Sequence, residues 1–371
     1  MSAYRVPFMN ELGDRLAAMD GALLVAESSA PPSIAQRQDE RHGDYGRPVD
    51  TKWVSLGGRE IGVRRVEQAI REFSPDYVVL QQELRNLESY PLLAGARLRK
   101  FEVGFWGHGR SYSTSQTELE ASAKQWLTRR TKWFFAYTQA GADHVVKNGF
   151  PRVRTTVLNN TIDTASLRSE LESVGDQEVA DFRTRLGLSA GKTALFIGGV
   201  DDAKGISFLL DTAPRIAEML PGFTLLVAGD GARRADVQHA ESGGAPIRYL
   251  GRLDGRARAL ALKVADVMAI PEWIGLVAID SLVAGRPIVT THHHSHSPEH
   301  EYLEAGVTCV YSIHDPADYA ADVVKLLNDN VGLEAMQSAC LVRSEDFSIE
   351  LMADAFLRGI LDWDEMRRFG L

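Results

Sequence analysis

Apolar residues along this 371-residue chain fall into short runs separated by polar, glycine and proline positions. Runs rich in β-branched and aromatic residues at 22–26, 53–56, 77–80, 102–106, 133–137 and 155–158 read as strands. Helical spacing fills most of the gaps between them. Residues 5–20 form an amphipathic pattern, with Phe8, Leu12 and Leu16 on one stripe and Met9 and Met19 nearby. The polar stretch 28–50, rich in Pro, Gln, Asp and Arg, reads as a long loop. After a helical connector at 165–187 the pattern restarts, with strands at 194–197, 224–228, 248–250, 265–270, 288–291 and 309–311. Leu351, Ala355, Leu357 and Ile360 mark a terminal helix. Strands alternating with helices imply parallel sheets covered on both faces. The simplest architecture is α/β, with two tandem doubly wound units facing a cleft and ligands at the carboxyl ends of the strands.

The totals change this picture little. Length suggests about two domains, and 44% hydrophobic with 25% charged residues is ordinary for a globular protein. Cys309 and Cys340 make no disulfide framework and read as reduced thiols in a cytoplasmic protein. No apolar run approaches the roughly 18 residues of a transmembrane helix, and no secretory leader is visible, so the 159–161 sequon is taken as chance. The net charge of −9 divides into +3 for residues 1–165 and −12 for the remainder. A basic first half suits an anionic acceptor or a membrane surface, although +3 is also an ordinary solvated surface.

Chemistry concentrates between Ile270 and Glu301. A strand stopped by Pro271 leads to Glu272, then to a helix from Gly275 to Ala284 that Gly285 and Pro287 end. Glu272 and Asp280 are eight residues apart, which predicts two helical turns between them on one face, with Glu272 at the helix N-terminus. Amides at a helix start suit phosphate, and carboxylates suit sugar or ribose hydroxyls. Glycine-bearing turns follow other strands: Gly198-Gly199-Val200-Asp201-Asp202-Ala203-Lys204-Gly205, Gly229-Asp230-Gly231 and Gly251-Arg252-Leu253. Glycine allows close backbone approach, and Lys204 places a cation at a phosphate site. His108, between Gly107 and Gly109 at a strand end, points to a site more than to a core.

Glu272-Trp273-Ile274-Gly275-Leu276, followed by Asp280 and Ala284-Gly285-Arg286-Pro287, resembles the E-x7-E signature of retaining nucleotide-sugar glycosyltransferases of family 4 (glycosyl transferases group 1). Asp280 stands where the family usually has its second Glu. The 198–205 turn is similar to the family's G-R-L-x-x-x-K-G segment, with Lys204 matching and Gly199 in place of the Arg. The 229–231 turn resembles the family's nucleotide-side G-x-G, while a tight turn alone explains it equally well. Asn160-Thr161-Ile162-Asp163 resembles the interdomain segment. Tyr4-Arg5-Val6-Pro7-Phe8 resembles the start of the first helix, which implies that the usual first strand is missing.

The resemblance implies a GT-B fold of two Rossmann-like domains, at 1–165 and 166–345, with a terminal helix at 346–371 returning to the first. It also implies a catalytic set of His108, Glu272 and Lys204. Donor binding falls to Gly198, Gly199, Lys204, Gly229, Gly231, Gly251, Arg252, Leu253, Glu272, Gly275, Leu276, Val277 and Asp280. Glu272 would bind the transferred sugar, Asp280 the ribose and Lys204 the diphosphate. The expected activity is transfer from a nucleoside-diphosphate sugar to a hydroxyl of a glycan or lipid-linked acceptor, with retention. No cofactor, metal or nucleic acid is expected, and the setting is cytoplasmic with peripheral contact at the inner membrane face. A phosphorylase, epimerase or hydrolase on this architecture would need a motif not found here. The alternative is a noncatalytic partner or sugar-nucleotide-binding subunit.

Two constellations stand apart. His292, His293, His294, His296 and His300 crowd one loop, but consecutive side chains alternate sides and cannot converge on a metal. In the family this loop gives backbone amides to the diphosphate, and Ser297-Pro298-Glu299 with Glu301-Tyr302-Leu303 resembles one of its variants. A protonated histidine there would partly replace the missing Arg. Asp362-Trp363-Asp364 spells the D-x-D metal motif of the other main glycosyltransferase fold, yet its place at a helix end reads as a solvated terminus.

Overall fold

Buried apolar runs become the sheets of two units. The computed structural model describes residues 1–32, 40–56, 59–95, 100–110, 117–292 and 296–370. Met1–Asp163 with Ser348–Leu371 make the first unit, and Thr164–Phe347 the second.

In the first unit the strands are β1 (Val25–Glu27), β2 (Gly46–Pro48), β3 (Thr51–Leu56), β4 (Arg59–Arg64), β5 (Tyr77–Gln81), β6 (Glu102–Gly107), β7 (Trp133–Ala136) and β8 (Thr155–Val157). β5-β6-β7-β8 form a parallel sheet in sequence order, with Phe105 opposite Phe134 and Phe135 opposite Thr156. Two findings depart from the expected pattern of the first half. β3 and β4 form an antiparallel hairpin, and β2, inside the supposed loop, pairs with β1 in parallel. Both are short polar segments whose pairing carries little apolar periodicity. The chain's first elements are a 3-10 turn, Ala3–Arg5, and the helix Val6–Ala17.

One face of this sheet is closed by Val6–Ala17 together with the terminal helix Ile349–Phe369. Phe8 and Leu12, spaced i and i+4, meet Trp106 and Phe356, and Phe135 stacks on Phe356 at 4.1 Å. Gly359 lets the helix approach, since a Cβ there would lie 2.5 Å from the Phe135 ring and from Thr156 Oγ1. Trp363 stacks on Trp133 and donates from Nε1 to Glu102 (2.6 Å), while the Tyr77 hydroxyl donates to Asp364 (2.5 Å). The Asp-Trp-Asp triplet is therefore no solvated terminus: its Trp belongs to the core and its second Asp anchors the helix.

The second unit contains β9 (Thr193–Ile197), β10 (Thr224–Ala228), β11 (Ile247–Gly251), β12 (Val267–Ala269), β13 (Ile288–Thr291) and β14 (Cys309–Ser312). All pair in parallel, in the order β11-β10-β9-β12-β13-β14. Ala194, Leu195, Phe196, Leu226, Val227, Met268, Ile288 and Val289 are buried, as a parallel sheet covered on both faces requires. The connector is two helices, Thr164–Ser173 and Asp176–Leu186.

Trp363→Ala should cost about 3–5 kcal/mol in urea denaturation, because a buried indole and its hydrogen bond are lost together. Asp362→Ala, on the exposed side of the same helix, should change stability by no more than about 0.5 kcal/mol.

Candidate functional site

In the second unit the strand order reverses between β9 and β12, which are neighbours. The chain leaves their carboxyl ends in opposite directions, and this is where doubly wound sheets open a ligand crevice. Two segments occupy it, the turn 198–205 after β9 and the loop 270–276 after β12.

The 198–205 turn ends at Gly205 (φ +72), which starts the helix Ile206–Met219. A Cβ at Gly205 would lie 2.8 Å from the Pro271 ring and 3.2 Å from Glu272 Cδ, so glycine lets turn and loop press together. Lys204 Nζ donates to the Trp273 carbonyl at 2.7 Å, which places an ammonium between the two segments. At Gly199, where the family's Arg would stand, a Cβ would lie 2.7 Å from Asp201 Oδ2. The departure thus has a local reason: an acidic side chain fills that space. Arg233 comes to the same turn from the end of β10, with its N–H on the Val200 carbonyl (2.9 Å) and its Nε on Asp202 (2.8 Å).

The glycines at the end of β10 answer to packing. A Cβ on Gly229 (φ +138) would fall 1.8 Å from the Gly198 carbonyl oxygen, and one on Gly231 2.4 Å from that of Val200. Gly251 (φ +68) accepts from the Gly229 N–H at 2.8 Å, so the turns after β9, β10 and β11 form a hydrogen-bonded row. Arg252 is exposed and Leu253 half-buried beyond that row.

The predicted helical relation of Glu272 to Asp280 does not hold. The helix is Val277–Ala284 with Leu276 as its N-cap, so Asp280 lies in its first turn and Glu272 on the preceding loop. The left-handed Trp273 (φ +46) and then Gly275 keep the chain out of a helix until that point. Glu272 is nonetheless held firmly: its Oε1 accepts from His314 Nε2 at 2.8 Å, and its side chain is 14% exposed. Nothing in the sequence singled out His314. Its only signal was position, on the segment after β14 and just before Asp315, which caps the helix Pro316–Asn328.

Asp280 is sequestered, with Arg258 Nη1 3.6 Å from its Oδ1 and Arg258 also paired to Glu170 at 3.0 Å. Burial pushes its carboxyl up to about 6; Arg258 opposes the shift and Glu170 adds to it. Arg258 and Glu170 lie on different helices, Gly255–Val264 and Thr164–Ser173, which sequence spacing could not bring together.

The histidine loop resolves into separate roles. His296 is buried; its Nδ1 accepts from the Ile274 N–H (3.2 Å) and its Nε2 donates to the Thr291 carbonyl (3.0 Å). A ring nitrogen that accepts from an amide carries no proton, so His296 is a neutral clamp on the Glu272 loop and not a phosphate-facing cation. His292 stacks on Tyr311, and His300 stacks on His296 while bonding the Ser297 carbonyl. His293 and His294 lie outside the described residues.

In the first unit, His108 ends β6 with its ring edge-on to Tyr137 at 4.5 Å. Buried Gln82 fixes the turn, accepting from the Gly109 N–H (3.1 Å) and donating to Thr128 (2.7 Å). Arg5 lies over Trp106 and donates to the Tyr137 hydroxyl at 2.5 Å, a neighbour of His108's partner that sequence reading missed.

Residues 191–329 match the family model for glycosyl transferases group 1. A phosphatidyl-myo-inositol mannosyltransferase of Mycobacterium tuberculosis is 35% identical over 108 residues, which are 27% of this chain and only 28% of that protein's length. A glycogen synthase of the same organism is 25% identical over 345 residues, 87% of this chain and 78% of that protein. Among solved structures, Anabaena HepE in complex with UDP superposes with a TM-score of 0.67 at 14% identity, covering 97% of both chains. A Rickettsia africae glycosyltransferase gives 0.69 at 11%, covering 96% of this chain and 94% of that one. The Neisseria meningitidis UDP-GlcNAc 2-epimerase gives 0.64 at 15%, again over 97% of both. The fold is GT-B, with two Rossmann-like α/β domains, and the match to the group 1 glycosyl transferase model spans Lys204, Glu272, Asp280 and His314.

Proposed function

We propose that this protein transfers a sugar from a nucleoside-diphosphate sugar to a hydroxyl of a glycan or lipid-linked acceptor, with retention, as family 4 glycosyltransferases do. The observation that carries the reading is the meeting of Lys204, Glu272 and glycine-bearing turns at the β9/β12 reversal, inside the segment that matches the family model. Lys204 and backbone N–H groups hold the diphosphate, Glu272 accepts from sugar hydroxyls, and Asp280 accepts from the ribose. The acceptor oxygen bonds to the anomeric carbon as the carbon–phosphate-oxygen bond breaks on the same face. The acceptor's proton passes to the leaving diphosphate. His108 donates to the transferred sugar. Stabilisation of the leaving group is then electrostatic and needs no metal ion. The relatives named above make mannose and glucose nucleotides the first donors to try, and bacterial polysaccharide or glycolipid synthesis the setting. A noncatalytic sugar-nucleotide-binding role is the second reading, favoured by Gly199 standing where the family has an Arg, with Asp201 Oδ2 2.7 Å from where its Cβ would lie.

UDP-, GDP- and ADP-sugars, screened by thermal shift and diphosphate release, should reveal one nucleotide that stabilises the protein and turns over at the same rate in EDTA. Lys204→Ala and Glu272→Ala should each lose 10²-fold or more of kcat/KM, about 2.7 kcal/mol. Binding without turnover by any acceptor would mark the noncatalytic reading, and absence of binding would reject both.

Asp280 sets a pH dependence. Its carboxyl is raised in the folded protein, so the fold favours the protonated form, and that contribution is present below about pH 4 and lost as pH climbs through about 6. Asp280→Asn should therefore gain stability over wild type between pH 5 and 8, by at most about 3 kcal/mol. Ribose binding needs the carboxylate, so wild-type nucleotide affinity should weaken below pH 6, a trend that titration calorimetry should find absent in Asp280→Asn.

A further inference from the structure

Glu272 does not stand on a helix, so something other than helical geometry must aim its carboxylate. On one side is Gly205, whose missing side chain leaves room for Glu272 Cδ. On the other is His314, with Nε2 2.8 Å from Glu272 Oε1. His314 is itself fixed from three directions. Its ring lies against Phe208 at 4.7 Å and 32°, and Phe208 packs edge-on against buried Tyr319, whose hydroxyl donates to the Val289 carbonyl on β13. Asp315 next to it caps the following helix, accepting from the Ala317 and Asp318 N–H groups at 2.8 and 3.2 Å. The Asp315 N–H donates to the Ile313 carbonyl (2.8 Å), which closes a tight turn around His314.

From this we infer that His314 is a positioning residue for donor recognition, setting the rotamer of Glu272 before the sugar arrives. The inference rests on the proposed role of Glu272 toward sugar hydroxyls and adds a residue to it. A glutamate side chain on a loop has three torsions to lose on binding, and a hydrogen bond from an anchored imidazole removes that cost in advance. The aromatic stack alone cannot do this, because it touches the ring face and not the carboxylate. Discrimination should therefore fall on the sugar and not on the nucleotide.

Three variants separate the N–H from the ring. His314→Phe keeps a ring against Phe208 and loses the donor, His314→Gln keeps an N–H donor at similar reach, and His314→Ala loses both. Titration calorimetry with UDP-glucose, GDP-mannose and ADP-glucose, using UDP, GDP and ADP as sugarless controls, provides the readout. For whichever pair binds, His314→Phe should weaken the sugar nucleotide about tenfold with the free diphosphate unchanged, and His314→Gln should recover most of that loss. In the Glu272→Ala background His314→Phe should add nothing. Equal weakening of sugar nucleotide and free nucleotide, or an additive double variant, would show a merely structural histidine and overturn the inference. Wild-type protein that binds a free diphosphate but prefers none of the sugar nucleotides would overturn it too, leaving the nucleotide site intact. No binding of any of the six would overturn the glycosyltransferase reading itself, and this one with it.

Discussion

The loop from Pro271 to Gly275 is the constraint on which the candidate site depends. It is irregular backbone at the carboxyl end of a buried strand, and groups from several elements hold it. Thr291 Oγ1 donates to the Pro271 carbonyl (2.8 Å), Lys204 to that of Trp273 (2.7 Å), and the Ser297 N–H to that of Ile274 (2.9 Å). His296 takes the Ile274 N–H and His314 takes the Glu272 carboxylate. Each bond contributes only about 1 kcal/mol net. Together they stabilise a backbone that includes a left-handed Trp273, a conformation costing about 1–2 kcal/mol for a residue with a Cβ. The tethers come from β9's turn, β13, the histidine loop and the segment after β14. The loop therefore has its shape only when the reversed strand order has assembled.

That dependence explains what could and could not be read in advance. The strands of the second unit were legible to within a residue or two, because a buried parallel strand is an unbroken apolar run and proline or glycine ends it. Lys204 and Glu272 were legible from spacing and resemblance, and the structure brings their loops together in one unit. The helix start was not. Ile274 is buried and Gly275-Leu276 looked helical, but Trp273 sits at positive φ because its carbonyl is held by Lys204, a contact 69 positions away in sequence. His314, Arg258 and Glu170 share this cause: each reaches the site from an element distant along the chain. Of the β3/β4 hairpin only the strand at 53–56 was legible; its partner Arg59–Arg64 and the antiparallel pairing escaped because side chains such as Val54 and Val63 stay exposed and leave no buried pattern. At 362–364 the D-x-D spacing was rightly set aside as a metal motif, but its reading as a solvated terminus missed the core tryptophan between the two aspartates.

Charge makes the same point about locality. The last 206 residues carry a net −12, and an anionic donor would be repelled by such a charge if it acted as a whole. Exposed charges are screened beyond about 8 Å at physiological salt, so only the groups near the β9/β12 reversal count. There the acids are largely answered for. Asp202 is bonded to Arg233, Asp280 is close to Arg258 and pushed toward its neutral form by burial, and Glu272 is bonded to His314. Lys204, bonded to a neutral carbonyl, keeps its charge uncancelled by that contact. Asp201 is the exception, with a buried Oδ1 that lacks a hydrogen-bond partner among the described residues, in the turn beside Gly199. A buried carboxylate oxygen without a hydrogen bond is costly in a folded protein. Under the proposed function, a phosphate at this turn relies on backbone N–H groups and Lys204, and so on the local tethers of the Pro271–Gly275 loop more than on net charge.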